Sequence, residues 1–181
     1  MDKNEELKFA KFFIDWLNNQ YGIDYGVFPN AEENKIDPEI DIYARSKTGG
    51  EQLNFQMVTS EAELKRVVAG LERVAKKEKR SMVIGPFLDP HREEPGGWIK
   101  QAVRKKEKEY STEVKQSLVL LVQKDIGAQF DEEYFKHIFS EFNDSEFKGI
   151  YLVHYPSESH HTGQILAIKE LGWRRGSNYK R

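Results

Sequence analysis

Leu118 to Val122 is an unbroken run of five apolar residues with polar residues on either side. A run so short and so uniformly apolar fits a strand covered on both faces, as at the centre of a sheet flanked by helices. It falls far short of the roughly 20 apolar residues that span a bilayer. The rest of the chain supplies the cover such a strand needs. Phe9, Phe12, Phe13, Trp16 and Leu17 recur at helical spacing and predict a helix from about Glu5 to Tyr21, stopped by Gly22. Leu64, Val67, Val68, Leu71, Val74 and Ala75 predict a second over Glu61 to Lys79, with Ser60 and Glu63 as a capping box. Ile99, Ala102, Val103, Lys106 and Tyr110 share a face of a third, and Asp131 to Phe142 reads as a fourth.

Between these helices lie predicted strands at Tyr25 to Phe28, Glu39 to Arg45, Gln52 to Val58, Met82 to Phe87, Leu118 to Gln123, Gly149 to Tyr155 and Gln164 to Glu170. Interleaved strands and helices predict an α/β fold, a mixed central β-sheet flanked by helices. At 181 residues the chain fits one domain, with a basic tail over Trp173 to Arg181. It has no cysteine, so disulfides, thiolate metal sites and a cysteine nucleophile are excluded, and a reducing compartment is favoured. The N-terminal stretch begins acidic and becomes an amphipathic helix, unlike the basic-then-apolar layout of a signal peptide. A soluble, cytoplasmic protein without a membrane segment is the expectation.

The net charge of −2 conceals blocks of opposite sign. Met1 to Asp41 is −6 and Asp131 to Glu146 is −5, whereas Lys65 to Arg80 is +5, Trp98 to Tyr110 is +3 and Lys169 to Arg181 is +4. An acidic region framed by basic helices suits a metal-dependent enzyme acting on a polyanion, although solvated helix faces produce such blocks as well. Arg66, Arg73, Lys76, Lys77, Lys105, Lys108, Arg174 and Arg175 are the candidate contacts to DNA or RNA phosphates. A surface for an acidic protein partner would look the same in sequence.

The most specific local signal is a hairpin. In Glu39 to Arg45, Ile40, Ile42 and Ala44 alternate with Glu39, Asp41 and Tyr43. Ser46-Lys47-Thr48-Gly49-Gly50 supplies the turn, and Leu53, Phe55 and Met57 then alternate with Asn54, Gln56 and Val58. A turn centred between Thr48 and Gly49 pairs positions whose numbers sum to 97, which sets Asp41 across from Gln56. Cross-strand neighbours lie about 4.5–5.5 Å apart at Cβ, close enough for two oxygen-bearing side chains to share a magnesium or manganese ion.

This arrangement resembles the PD-(D/E)XK, or restriction-endonuclease-like, nuclease superfamily. The order is a helix (Glu5 to Tyr21), a strand marked by an aspartate (Pro38-Glu39-Ile40-Asp41), a turn, a strand carrying Gln56-Met57-Val58, and a helix from Glu61. The resemblance implies a restriction-endonuclease-like core and magnesium-dependent phosphodiester hydrolysis. Asp41 matches the metal-binding aspartate, and Gln56 stands at the second acidic position, where its carbonyl oxygen can still accept a metal. Val58 stands where the superfamily's lysine is expected, and an isopropyl group neither donates a hydrogen bond nor stabilises developing negative charge. Glu39 and Glu6 are candidate additional acids, and Lys106 is the candidate substitute for the lysine. The implied function is a nuclease-like protein associated with nucleic acid, its hydrolysis impaired; the alternative is an inactive nuclease-fold module contacting a protein.

Other chemistry has little behind it. His160 and His161 are adjacent, and His91 and His154 lack partners at zinc-ligand spacing. Dinucleotide, P-loop and α/β-hydrolase motifs do not occur.

Overall fold

The computed structural model describes residues 3–29, 40–49, 51–59, 76–77, 96–123, 132–156 and 163–172. Its first element, α1 (Lys3–Tyr21), buries Phe9, Phe13 and Leu17 and half-buries Phe12 and Trp16, as the spacing predicts. Gly22 ends it with a φ of 66°, a left-handed conformation that glycine adopts at little cost. The Asn18 carbonyl there accepts from both Gly22 N–H (2.9 Å) and Ile23 N–H (3.2 Å).

Three antiparallel strands follow: β1 (Tyr25–Pro29), β2 (Ile42–Ser46) and β3 (Leu53–Thr59). The hairpin register matches the sequence expectation, with Ile42 paired to Phe55 and Ala44 to Leu53. After α2 (Gly97–Glu109) and the short α3 (Thr112–Ser117), β4 (Leu118–Gln123) runs parallel to β3. Next come α4 (Glu132–Ile138), a 3-10 turn (Ser140–Phe142), β5 (Gly149–His154) parallel to β4, and β6 (Gln164–Lys169) antiparallel to β5. Strand order is β1-β2-β3-β4-β5-β6 in one six-stranded mixed sheet, an α/β architecture.

Alternation along the strands separates two cores. On one face α1 lays Phe9, Phe13 and Leu17 against Ile42, Phe55, Val119, Leu121 and Tyr151. Phe13 sits within 5.8 Å, centroid to centroid, of Trp16, Phe55 and Tyr151. On the other face Ile99 and Val103 of α2, with Phe135, Phe139 and Phe142, cover Leu118, Leu120, Val122, Ile150 and Leu152. β4 feeds both cores, which is why its sequence is apolar without alternation. Each fully buried Leu or Phe in these layers contributes roughly 1.5–3 kcal/mol.

Several boundaries differ from the sequence reading. β2 begins at Ile42 rather than Glu39, because Ile40 packs into the α2-side core while Ile42 packs beneath α1. The alternation therefore breaks at Asp41. The stretch Asp131 to Phe142 is not one helix: α4 stops at Ile138 and the chain tightens into the 3-10 turn, which still buries Phe139 and Phe142. α3, with no buried residue, follows Ser111, whose hydroxyl accepts from Val114 N–H. The predicted strand Met82 to Phe87 and the tail Trp173 to Arg181 lie outside the described residues, as does the predicted helix Glu61 to Lys79 apart from Lys76 and Lys77.

Candidate functional site

The register of β2 and β3 brings Asp41 and Gln56 into direct contact. The Gln56 side-chain nitrogen donates to Asp41 Oδ2 at 2.7 Å, and the Met57 backbone N–H donates to the same oxygen at 2.8 Å. Asp41's own N–H donates to the Phe55 carbonyl at 3.0 Å. The local sequence explains this. β2 pairing ends at Ile42, so beside Met57 the carboxylate takes the place that a carbonyl of a longer strand would fill. Gln56 is only 8 % exposed and also donates to the Met57 carbonyl at 3.3 Å.

The electrostatics follow from this burial. Removal from water pushes the Asp41 carboxyl above the usual aspartate range, opposed in part by the Met57 N–H and by the positive charge of Lys106. Lys106 thus lies within electrostatic reach of Asp41, although its ammonium is held elsewhere. Its Nζ donates to Glu109 Oε2 at 2.8 Å and to the Tyr110 hydroxyl at 3.1 Å, and its side chain is 18 % exposed. Burial draws the ammonium down, but Glu109 and Tyr110 outweigh that and hold it above the ordinary lysine value. At neutral pH Lys106 is therefore a fixed cation and not a proton acceptor.

Val58, two residues beyond Gln56 and paired with Val122, is half-buried against the α2-side core. Glu6 is half-buried on α1, which covers the sheet face opposite to the one that Gln56 shares with Leu120. Glu39 lies outside the described residues.

Magnesium prefers hard oxygen donors and several of them. Here the described donor set is one carboxylate, with an oxygen already accepting two N–H bonds, and an amide that turns its nitrogen toward that carboxylate. With Asp41 ionised, this is the orientation that electrostatics requires, since the amide oxygen would face another acceptor. A cation between them needs the amide reversed and one donor displaced. Among the described residues no group of three His, Asp or Glu side chains is placed to hold a metal. The arrangement as it stands does not fit the ion.

Of the candidate phosphate contacts, Lys76 and Lys77 are exposed with helical backbone. On α2, Lys105 is 68 % exposed with Glu109 3.7 Å away, and Lys108 is exposed. Arg66, Arg73, Arg174 and Arg175 lie outside the described residues. Of the histidines, His154 is buried at the end of β5, while His91, His160 and His161 are also outside them.

One feature beside Asp41 was missed from sequence. β1 pairs with β2 so that Phe28 faces Tyr43, and the two rings stack with centroids 5.7 Å apart and planes 18° from parallel. Arg45 places its guanidinium 5.0 Å from the centre of the Tyr43 ring and donates through Nε to Gln52 Oε1 at 2.9 Å. Gln52 in turn donates to Asn54 Oδ1 at 2.6 Å. The alternation already placed Tyr43 with Asp41 and Asn54 with Gln56, but the register of β1 depends on a connection of uninformative sequence.

No family model matches the chain, and neither a curated protein nor a solved structure does so. Among the described residues, no helix is long and apolar enough to cross a membrane.

Proposed function

We propose that this chain is a nuclease-like protein of restriction-endonuclease-like core that associates with nucleic acid, its metal-dependent phosphodiester hydrolysis impaired. The observation that carries the reading is the contact of Asp41 with Gln56 at the open end of the β2–β3 hairpin, with Val58 next on the same face of β3. The chain order supports it: a helix, three antiparallel strands, a connection containing α2, and a fourth strand parallel to the third. The exposed lysines Lys105 and Lys108 on α2 supply sequence-independent phosphate contacts. Impairment follows from the side chains present: Val58 offers no charge, Gln56 offers Asp41 an N–H, and Lys106 is committed to Glu109.

The closed Asp41–Gln56 pair equally favours the second reading, a module that has kept the fold and contacts a protein instead. Titration of labelled DNA and RNA separates the two. Saturable binding whose affinity falls steeply with salt supports the first reading. Absence of binding at low salt, with recovery of a defined protein partner, supports the second.

A further inference from the structure

The face of β1, β2 and β3 that carries Gln56 is the face opposite α1. Val27, Ala44, Ile42 and Phe55 turn toward α1, so Phe28, Tyr43, Arg45 and Asn54 turn the other way. Phe28 is 45 % exposed, an unusual position for a large apolar ring in the middle of a strand pairing. It lies flat against Tyr43, so the stack offers a further ring an exposed aromatic surface. Arg45 stands over the Tyr43 ring of that stack, and no carboxylate among the described residues pairs with it. Beside the rings, Gln52 just ahead of β3 and Asn54 within it carry half-buried amides whose donors and acceptors suit base edges, and the row continues to the buried Gln56. The row ends at Asp41.

We infer that this face binds single-stranded nucleic acid, with an unpaired base stacked on Phe28 and the strand running along β2 from Arg45 past Tyr43 toward Asp41. This rests on the nucleic-acid reading above and names its substrate class. Three physical features select the occupant. Stacked aromatic rings accept the π-face of any base, but only one already out of a duplex. A guanidinium over the Tyr43 ring, with no carboxylate partner among the described residues, complements a phosphate and adds a cation–π contribution. Amides hydrogen-bond to the base edges that pairing in a duplex would occupy. An apolar protein surface would satisfy Phe28 but not the guanidinium over Tyr43 or the amides of Gln52 and Asn54 beside it.

The test is fluorescence anisotropy with labelled poly-dT and poly-U of about 15 nucleotides, and a duplex of equal length, at about 50 mM salt. The wild type is expected to bind the single strands more tightly than the duplex, the dT and U arms showing which sugar is preferred. Phe28→Ala is expected to weaken single-strand binding about 5- to 150-fold, as for loss of one stacked base, with the duplex unaffected. Phe28→Leu, which keeps the bulk and removes the ring, is expected to lose nearly as much. An unchanged melting transition in both variants shows that the loss is not one of folding. Arg45→Gln is expected to lower the slope of log affinity against log salt by about one. Duplex-preferring binding unmoved by Phe28→Ala or Phe28→Leu overturns the inference while leaving the broader reading in place. No binding of the wild type to any of the three overturns both.

Discussion

The side-chain amide of Gln56 donates to the carboxylate of Asp41 across the β2–β3 hairpin at 2.7 Å, and that carboxylate also caps the Met57 N–H of β3. The pair therefore has a structural duty independent of any chemistry. Asp41→Ala leaves two N–H donors without that acceptor, which costs about 1–3 kcal/mol for each that stays buried and unpaired. Asp41→Asn keeps an oxygen for Met57 and a polar partner for Gln56, so its stability should stay within about 1 kcal/mol of wild type. Urea unfolding of the three proteins at neutral pH checks the order.

Burial raises the Asp41 carboxyl above its ordinary range, and this sets the sign of a pH effect. An acid whose folded-state value exceeds its unfolded value binds its proton more tightly when folded. Its contribution is most favourable at low pH and is lost as pH rises from the ordinary aspartate range through the raised value. The stability of wild type relative to Asp41→Asn should fall across that window and level off above it. Adding Lys106→Gln removes a cation that favours the ionised carboxylate, so the window should extend to higher pH. Unfolding midpoints of the matched pairs over about pH 4 to 8 give the comparison.

Two glycines separate backbone cost from packing cost. Gly22 and Gly96 both have positive φ, 66° and 70°. A Cβ on Gly22 meets open space, whereas one on Gly96 would lie 2.8 Å from Phe139 Cε1 and 3.0 Å from Ile138 Cδ1. Gly22→Ala should cost about 1–2 kcal/mol from the left-handed conformation alone. Gly96→Ala should cost that and roughly 1–3 kcal/mol of overpacking besides. Thermal unfolding of the two variants measures the difference.

How much of this the chain disclosed in advance depended on how local each signal was. The hairpin register followed from a five-residue turn between alternating runs, and the position of β4 from its unbroken apolar stretch. The start of β2 did not, because Ile40 and Ile42 look like one alternating series while packing into opposite cores. α3 escaped notice because a short polar helix with no buried residue has no periodicity to detect. At the site, Asp41 facing Gln56 was legible from turn and pattern. The direction of the Gln56 amide and the capture of Lys106 by Glu109 were not, since they depend on which partners folding supplies.

If the site is nuclease-like as proposed and Val58 is what limits it, a lysine there should supply the chemistry. Gln56→Glu combined with Val58→Lys supplies a second carboxylate and an ammonium beside Asp41. Val58 is only half-buried, so a lysine there can carry its charge to water along an apolar stem.

The most direct measurement is cleavage of a labelled single-stranded oligonucleotide in manganese by wild type, by this double variant, and by the double variant with Asp41→Ala. Wild type at or near background, manganese-dependent cleavage by the double variant, and loss of that cleavage on removing Asp41 is the result expected. Cleavage by the double variant that survives Asp41→Ala, or a folded, nucleic-acid-binding double variant as inert as wild type, would contradict the assignment of a nuclease-like site to Asp41 and Gln56.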